Sequence, residues 1–332
     1  MMDLPSYKDV AAARDRIKGD AVVTPLISSP RADARLGGML LIKAEPLQRT
    51  GSFKFRGAAN SVAMLDASTR TVVAWSSGNH AQAVAAAATA RGLRSIIVMP
   101  EDAPETKKAG TAELGGDVVT YDRYTESRED IGQALAREHD AAIIPPYDFA
   151  PVIAGQGTIG IEIAEQIDAR GISADQLICC TGGGGLLSGL SLGLHEHLPD
   201  LEIIAAEPEG FDDFRRSIEA GERLANIPGP KTICDAIVTP TPGELTFAIN
   251  RQHVSHGVAV SDDEVLAAMA FAWSEYKLVI EPGGAVALAA ALSGKVEIRG
   301  KTTVIVASGG NVDRDIFKRA LEMPEGRAFK PR

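Results

Sequence analysis

Cysteine is scarce in this chain: Cys179, Cys180 and Cys234 are the only three among 332 residues. Their number and spacing give neither a disulfide framework nor a Cys-x-x-Cys pair, so reduced, buried thiols are expected. Positive charge is also short. Lys and Arg total 34 against 44 Asp and Glu, a net charge of −10, and no cluster of bases could neutralise a row of phosphates, which argues against a nucleic-acid partner. No apolar run reaches membrane-spanning length, and the first twenty or so residues read as a charged helix without the apolar centre of a signal segment. A cytoplasmic protein with no membrane partner is therefore expected. Internal repeats, low-complexity tracts and Pro-rich or Gly-rich linkers are missing too. What remains is a chain long enough for one large α/β unit or two domains, with small-molecule chemistry as its expected work.

Short runs rich in Val and Ile recur at 39–43, 71–75, 95–99, 117–120, 141–144, 176–180, 202–206 and 302–307. They read as buried strands. Helix-like stretches lie between them at 80–91, 104–114, 126–139, 157–169 and 186–197, and Ser261 with Glu264 forms a capping box that opens another through about Tyr276. Such alternation predicts an α/β protein with parallel sheets covered by helices. One sheet holding every strand would be unusually wide, so two lobes are expected: a small one over 69–149, inserted in a large one made of 1–68 and 150–332.

Four segments carry chemistry. Thr50-Gly51-Ser52-Phe53-Lys54-Phe55-Arg56-Gly57 sets Lys54 among apolar neighbours and beside a cation, both of which favour a neutral, nucleophilic amine; the other reading is a solvated surface lysine. Thr181-Gly182-Gly183-Gly184-Gly185 follows a strand and opens a helix, where converging N–H groups suit a phosphate. It lacks the Gly-Lys-Ser/Thr ending of a P-loop and the Gly-x-Gly-x-x-Gly spacing of a dinucleotide site, and could be a plain turn. Ser76-Ser77-Gly78-Asn79-His80 ends another strand and suits a carboxylate, unless Ser77 and Asn79 are simple helix caps and His80 a structural histidine. Ser308-Gly309-Gly310-Asn311 is a third turn of this kind.

In this order and at these separations, the segments resemble the pyridoxal-phosphate enzymes of the tryptophan-synthase β fold, known as fold type II. Within them they resemble the serine racemase, threonine-serine dehydratase and 3-hydroxyaspartate dehydratase group. Residues 153–158 and Glu281-Pro282-Gly283-Gly284-Ala285 extend the likeness over nearly the whole chain. The resemblance implies a two-lobe fold of twisted, mainly parallel sheets flanked by helices, with pyridoxal 5'-phosphate in the cleft between the lobes. It also implies a homodimer and a small amino acid as substrate. Lys54 would hold the cofactor as a Schiff base and, once freed, take the substrate's α-proton. Phe53 would lie against the ring, Asn79 would bond its hydroxyl, Gly182, Gly183, Gly184 and Gly185 would hold the phosphate, and Ser308 would face the ring nitrogen. Ser76, Ser77, Asn79 and His80 would receive the substrate carboxylate. A neutral hydroxyl at Ser308 makes the ring a weaker electron sink than a carboxylate would, which favours quick loss of a β-substituent. The implied activity is a carbon-oxygen lyase that converts L-threonine or L-serine to a 2-oxo acid and ammonia.

Three details bear on the subgroup. Ser77 resembles the racemase and hydroxyaspartate dehydratase pattern, where a hydroxyl opposite Lys54 could move a proton on the other face; an amino acid racemase is thus a second reading. Glu207 and Asp213, with the Phe211 carbonyl, resemble the subgroup's divalent-cation ligands, a set suited to Mg²⁺, Ca²⁺ or Mn²⁺. Arg128 resembles an arginine that reaches the active site, where its planar fork could clamp a second carboxylate or orient a polar side chain; a 3-hydroxyaspartate dehydratase giving oxaloacetate and ammonia is thus an alternative activity. Otherwise Arg128 is a surface charge. The chain departs from the pattern at Ala236, where the family commonly has glycine, and it ends too soon after the last motif to carry a regulatory domain. A reading from another class, a non-catalytic two-lobe binding protein, gives the embedded lysine no role.

Overall fold

A computed structural model describes residues 4–323 of the chain. Ten strands are present among them: β1 (Leu26–Ile27), β2 (Met39–Ala44), β3 (Thr71–Trp75), β4 (Arg94–Pro100), β5 (Gly116–Tyr121), β6 (Ala142–Ile143), β7 (Gln176–Cys180), β8 (Glu202–Pro208), β9 (Val254–Val260) and β10 (Thr302–Ala307). They form a six-stranded sheet in the order β1-β2-β10-β7-β8-β9 and a four-stranded sheet in the order β5-β4-β3-β6. Every pairing is parallel except the short β1 on β2. The central strands β7 and β10 are buried almost along their full length, so their residues need no polar-apolar alternation and read as continuous apolar runs.

All eight expected strands exist. The two that patterning misses are edge strands. β1 is only two residues long, and β9 carries Ser255 and His256 exposed on an outer edge, where polarity interrupts the apolar signal. The helix expected from 157 runs instead over Ala150–Asp168, because Pro151 stands in its first turn, where a missing N–H breaks no bond. The Ser261 capping box forms, but its helix ends at Phe271 and continues as a π-helical turn, Ala272–Tyr276, closed by Lys277 at φ 58°.

Helix Pro282–Leu292 is apolar on every side and wholly buried against the large sheet. The core of the small sheet draws on residues outside the 69–149 segment. Phe55, Ala58, Ala59 and Val62 of helix Lys54–Ala63, with Ile17 and Val152, pack on Val72, Ala74 and Ala83. The helix that begins at Lys54 therefore joins the two sheets. No helix of the described residues is long and apolar enough to cross a membrane.

Candidate active site

A cavity of about 330 Å³ opens where the carboxyl ends of β3, β7 and β10 meet, the usual position for ligands in parallel α/β sheets. Phe53, Lys54, Ser76, Ser77, Gly78, Asn79, His80, Arg128, Gly182, Gly183, Gly184, Gly185, Ala236 and Ser308 all line it. Every cavity residue expected from sequence is thus brought to one place. The expected cation ligands Glu207, Phe211 and Asp213 are not on its wall.

Lys54 begins its helix, and its Nζ donates to the carbonyl of Pro146 at 2.8 Å, 5.3 Å from the centre of the Phe53 ring. Burial lowers its pKa to about 8, against small opposing contributions from Cys180 and Glu281. Arg56 is not among the causes of that shift, contrary to the expectation from sequence. Its guanidinium is held by Glu45 at 2.9 Å and Glu162 at 2.6 Å in a buried cluster of its own.

The lysine turn is stitched to the last turn. Phe53 N–H donates to the Ser308 carbonyl at 3.0 Å and Gly310 N–H to the Gly51 carbonyl at 2.9 Å, while the Asn311 amide donates to Thr50 O at 2.8 Å. Ser308, 3 % exposed, stands beside the sulfur of Cys180 and interacts with it through its hydroxyl. Three segments far apart in sequence thus form one wall.

The glycine run connects β7 to helix Gly185–His195, with Gly184 at φ 92° reversing the chain at the helix start, a conformation that glycine alone adopts freely. A side chain on Gly183 would run into the ring of Tyr147, and one on Gly182 into the Ile237 carbonyl. From behind, Thr246 Oγ1 donates to Gly183 O at 2.6 Å and the Asn250 amide to Gly184 O at 3.2 Å. With carbonyls engaged outward and a helix amino end facing the cavity, the loop is built for an anion.

Ser76-Ser77-Gly78 leads from β3 into helix Asn79–Ala90. Neither Ser77 nor Asn79 caps that helix through its side chain, since Gly78 is the N-cap residue and no side-chain cap bond is made. The Asn79 amide instead donates to Glu281 Oε1 at 2.6 Å, and its oxygen accepts from Asn311 at 2.7 Å. His80 Nε2 donates to the Ile144 carbonyl at 2.9 Å, which leaves Nδ1 as an acceptor. Burial and nearby Lys54 push its pKa down to about 3, so its imidazole is neutral. Arg128 reaches the cavity while paired with exposed Glu129 at 2.8 Å.

Sequence reasoning missed several participants. Glu281 stands in the Glu-Pro-Gly-Gly-Ala segment, yet nothing local predicts its bond to Asn79 or its pKa, which burial raises to about 8. Tyr147, Thr246 and Lys107 belong to no motif, and only long-range packing brings them here; Asp235 stands beside Ala236 where the family commonly has Asp-Gly, but nothing local predicts its pairing with Lys107.

The expected cation ligands lie at the end of β8. Glu207 and Asp213 are both buried, at 0 % and 1 % exposed. Glu207 accepts from the amides of Phe214 at 3.0 Å and Arg215 at 2.7 Å. Burial raises both pKa values, Asp213 to about 6, and the charge of Asp213 adds to the shift of Glu207. Among the described residues no group of three or more His, Cys, Asp or Glu side chains is placed to hold a metal.

A neutralisable lysine, an anion cradle at a helix amino end and a buried hydroxyl on one cavity fit a phosphorylated aldehyde such as pyridoxal phosphate. The model of the family described as "Pyridoxal-phosphate dependent enzyme" matches residues 17–309. The chain is 45% identical over 332 residues to L-threo-3-hydroxyaspartate ammonia-lyase of Saccharomyces cerevisiae, covering 99% of each. It is 40% identical over 320 residues to serine racemase of Schizosaccharomyces pombe, covering 96% of this chain and 98% of that one. Among solved structures, serine racemase from Dictyostelium discoideum superposes with a TM-score of 0.86 at 37% identity, covering 93% of this chain and 99% of that one. From the glycine cradle, the buried amine and these likenesses together it follows that the chain belongs to the family of pyridoxal-phosphate dependent enzymes.

Proposed function

We propose that this protein is an ammonia-lyase for β-hydroxy amino acids and that 3-hydroxyaspartate is its preferred substrate over L-threonine and L-serine. The observation that carries the preference is Arg128 on the wall of the cavity that contains Lys54. The name of the yeast relative, L-threo-3-hydroxyaspartate ammonia-lyase, supports the same substrate.

Pyridoxal phosphate, when bound, supplies a carbonyl for an amine and a conjugated ring that takes up electrons from the α-carbon. The chain does the rest. The amides of Gly182 to Gly185 would bind its phosphate, Phe53 would lie against its ring, Asn79 would hold the ring hydroxyl, and the neutral Ser308 hydroxyl would face the ring nitrogen. Turn residues Ser76, Ser77, Asn79 and His80 bind the α-carboxylate, His80 through its backbone N–H in the first turn of the helix, because its imidazole N–H is taken by the Ile144 carbonyl. Lys54, whose lowered pKa of about 8 makes its neutral form far more accessible than that of an ordinary lysine, takes the α-proton as general base. The β-hydroxyl takes up a proton and leaves as water, and the released enamine tautomerises to an imine that a second water hydrolyses to the 2-oxo acid and ammonia.

Arg128 clamps the distal carboxylate of hydroxyaspartate by trading Glu129 for it. Glu129 is 49 % exposed and returns to water at little cost. Steady-state rates on L-threonine, L-serine and both 3-hydroxyaspartate diastereomers test the preference. Arg128→Ala lowers kcat/KM on hydroxyaspartate by about tenfold or more beyond any loss on serine; equal losses refute the clamp.

Ser77 supports a second reading, racemisation as a side activity, because a hydroxyl at this turn can exchange a proton on the face opposite Lys54. The name serine racemase on the Schizosaccharomyces pombe relative agrees. Chiral analysis of residual serine decides, and Ser77→Ala that leaves racemisation intact removes it.

A divalent cation at Glu207, Asp213 and the Phe211 carbonyl belongs to the same proposal. Asp213 Oδ2 is buried without a hydrogen-bond partner, and a cation would relieve the repulsion between the two carboxylates. Rigorous chelation lowers the melting temperature by several degrees, and added Mg²⁺ restores it; no change removes the cation. Two copies of the chain form the active assembly, which sedimentation at micromolar concentration checks. The molecule works in the cytoplasm.

A further inference from the structure

Besides Lys54 and Arg128, the cavity wall carries another lysine among the described residues, Lys107. It lies on helix Glu105–Glu113, which follows β4 of the small sheet, and its side chain is only 17 % exposed. Its Nζ pairs at 2.8 Å with Asp235, which comes from a short turn, Asp235–Ile237, beside the glycine loop. The pair is lopsided. The side chain of Asp235 is 66 % exposed while its lysine is sunk in the wall. Burial works against the lysine's charge, and Asp235, Asp313 and Glu281 together outweigh it, so the ammonium is retained.

That asymmetry has a chemical use. An ion pair with one partner in the wall and the other in water exchanges readily, because the departing carboxylate is rehydrated and the buried cation is never left unpaired. Lys107 lines the same cavity as Asn79 of the carboxylate-binding turn and Glu281, to which Asn79 is bonded. Lys107 is therefore close to the place where a substrate lies. The Arg128–Glu129 pair lacks this asymmetry, since both of its side chains are exposed.

We infer that Lys107 is a specificity residue for a second carboxylate on the substrate: the distal carboxylate of a dicarboxylic amino acid displaces Asp235 from Lys107 and closes against the small sheet. A monocarboxylic substrate leaves the Lys107–Asp235 pair as it stands and gains nothing from it. The inference rests on the lyase reading above and extends it to a residue and an exchange reaction that the motifs do not contain.

Holoenzyme carrying Lys107→Ala, Lys107→Arg or Asp235→Asn tests it with 3-hydroxyaspartate and L-serine as substrates. Lys107→Ala reduces kcat/KM on hydroxyaspartate about tenfold more than on serine, mainly through KM, and Lys107→Arg recovers most of the difference. Asp235→Asn, which removes the competing carboxylate, lowers the KM for hydroxyaspartate severalfold. Equal losses on both substrates in Lys107→Ala overturn the inference. So does a raised KM for both substrates in Asp235→Asn, the result expected of a simple latch. Succinate and butyrate serve as non-reacting probes of binding by thermal shift: succinate stabilises wild type more than Lys107→Ala, while butyrate does not distinguish them. If the wild type turns over no β-hydroxy amino acid, the lyase reading fails alone. An equal response of both proteins to succinate then overturns the role of Lys107 separately.

Discussion

Lys54 and Arg56 are two residues apart on one helical turn, Lys54 half-buried on the cavity wall and Arg56 fully buried, and they are opposite in chemistry. Arg56 is 0 % exposed and meets Glu45 and Glu162, whose charges raise its pKa despite burial. Lys54 meets a carbonyl and an aromatic ring, with no carboxylate paired to it among the described residues, and burial lowers its pKa to about 8. Side chains at i and i+2 project about 200° apart around a helix, so the two cations face different surroundings. Lys43 sits with Arg56 in the same cluster, its Nζ on Glu162 at 2.6 Å. Burial lowers the pKa of Lys43 too, against Glu162 and Glu45, so the comparison teaches that the effect of burial is reversed only where two carboxylates both hydrogen-bond the cation, as at Arg56.

The largest effect should come from removing the reactive member. Lys54→Met abolishes covalent capture of pyridoxal phosphate and turnover, read from the loss of the cofactor's visible absorbance and of product; capture at wild-type level would break the comparison at its root. The same substitution should stabilise the cofactor-free protein, by roughly 1–3 kcal/mol below pH 8, since it deletes a buried, unpaired ammonium. The sign is fixed by the direction of the shift. A lysine whose folded pKa lies below its unfolded value destabilises the fold fully below about pH 8, and that penalty fades as pH rises toward the unfolded value. The advantage of Lys54→Met therefore shrinks above pH 8 in urea titrations.

Arg56→Ala should do the reverse, costing about 3–5 kcal/mol because Glu45 and Glu162 are left buried without their partner. Equal and small effects at both positions would show that pairing is not what separates them. The mildest test is kinetic. The rate at which cofactor-free wild type captures pyridoxal phosphate should fall about tenfold for each pH unit below 8, where the amine is protonated. A flat profile between pH 6 and 8 would place the pKa of Lys54 well below 6, and a rise that continues past pH 9 would place it with ordinary lysines.

Much of this site is legible before any fold is known. Taken singly, Gly182 to Gly185 are an anion loop or a plain turn and Lys54 a reactive amine or a surface lysine; the order and separations of the four segments, which resemble fold type II enzymes, select the first reading of each. The strands at 176–180 and 302–307 are apolar from end to end, so patterning finds them, whereas β9 on the sheet edge is half polar and is missed. Arg56 is the instructive failure. Closeness in sequence suggests that it tunes Lys54, but a helix separates neighbours by rotation, and Glu162, 106 positions away, claims it. Glu281 and Lys107 are silent for the same reason, since their partners Asn79 and Asp235 are 202 and 128 positions distant.

What sequence by itself determined is the set of backbone shapes and reactive groups: parallel strands, glycine turns at their carboxyl ends, and a lysine set between two phenylalanines. Those depend on local stereochemistry and on patterns a few residues long. The tertiary structure alone decided which buried cations find a counter-ion, which carboxylates burial leaves with raised pKa values, and which charges pair on the cavity wall. Solvation and ion pairing are summed over everything within a few ångströms, and most of what surrounds Lys54 comes from parts of the chain far away along it.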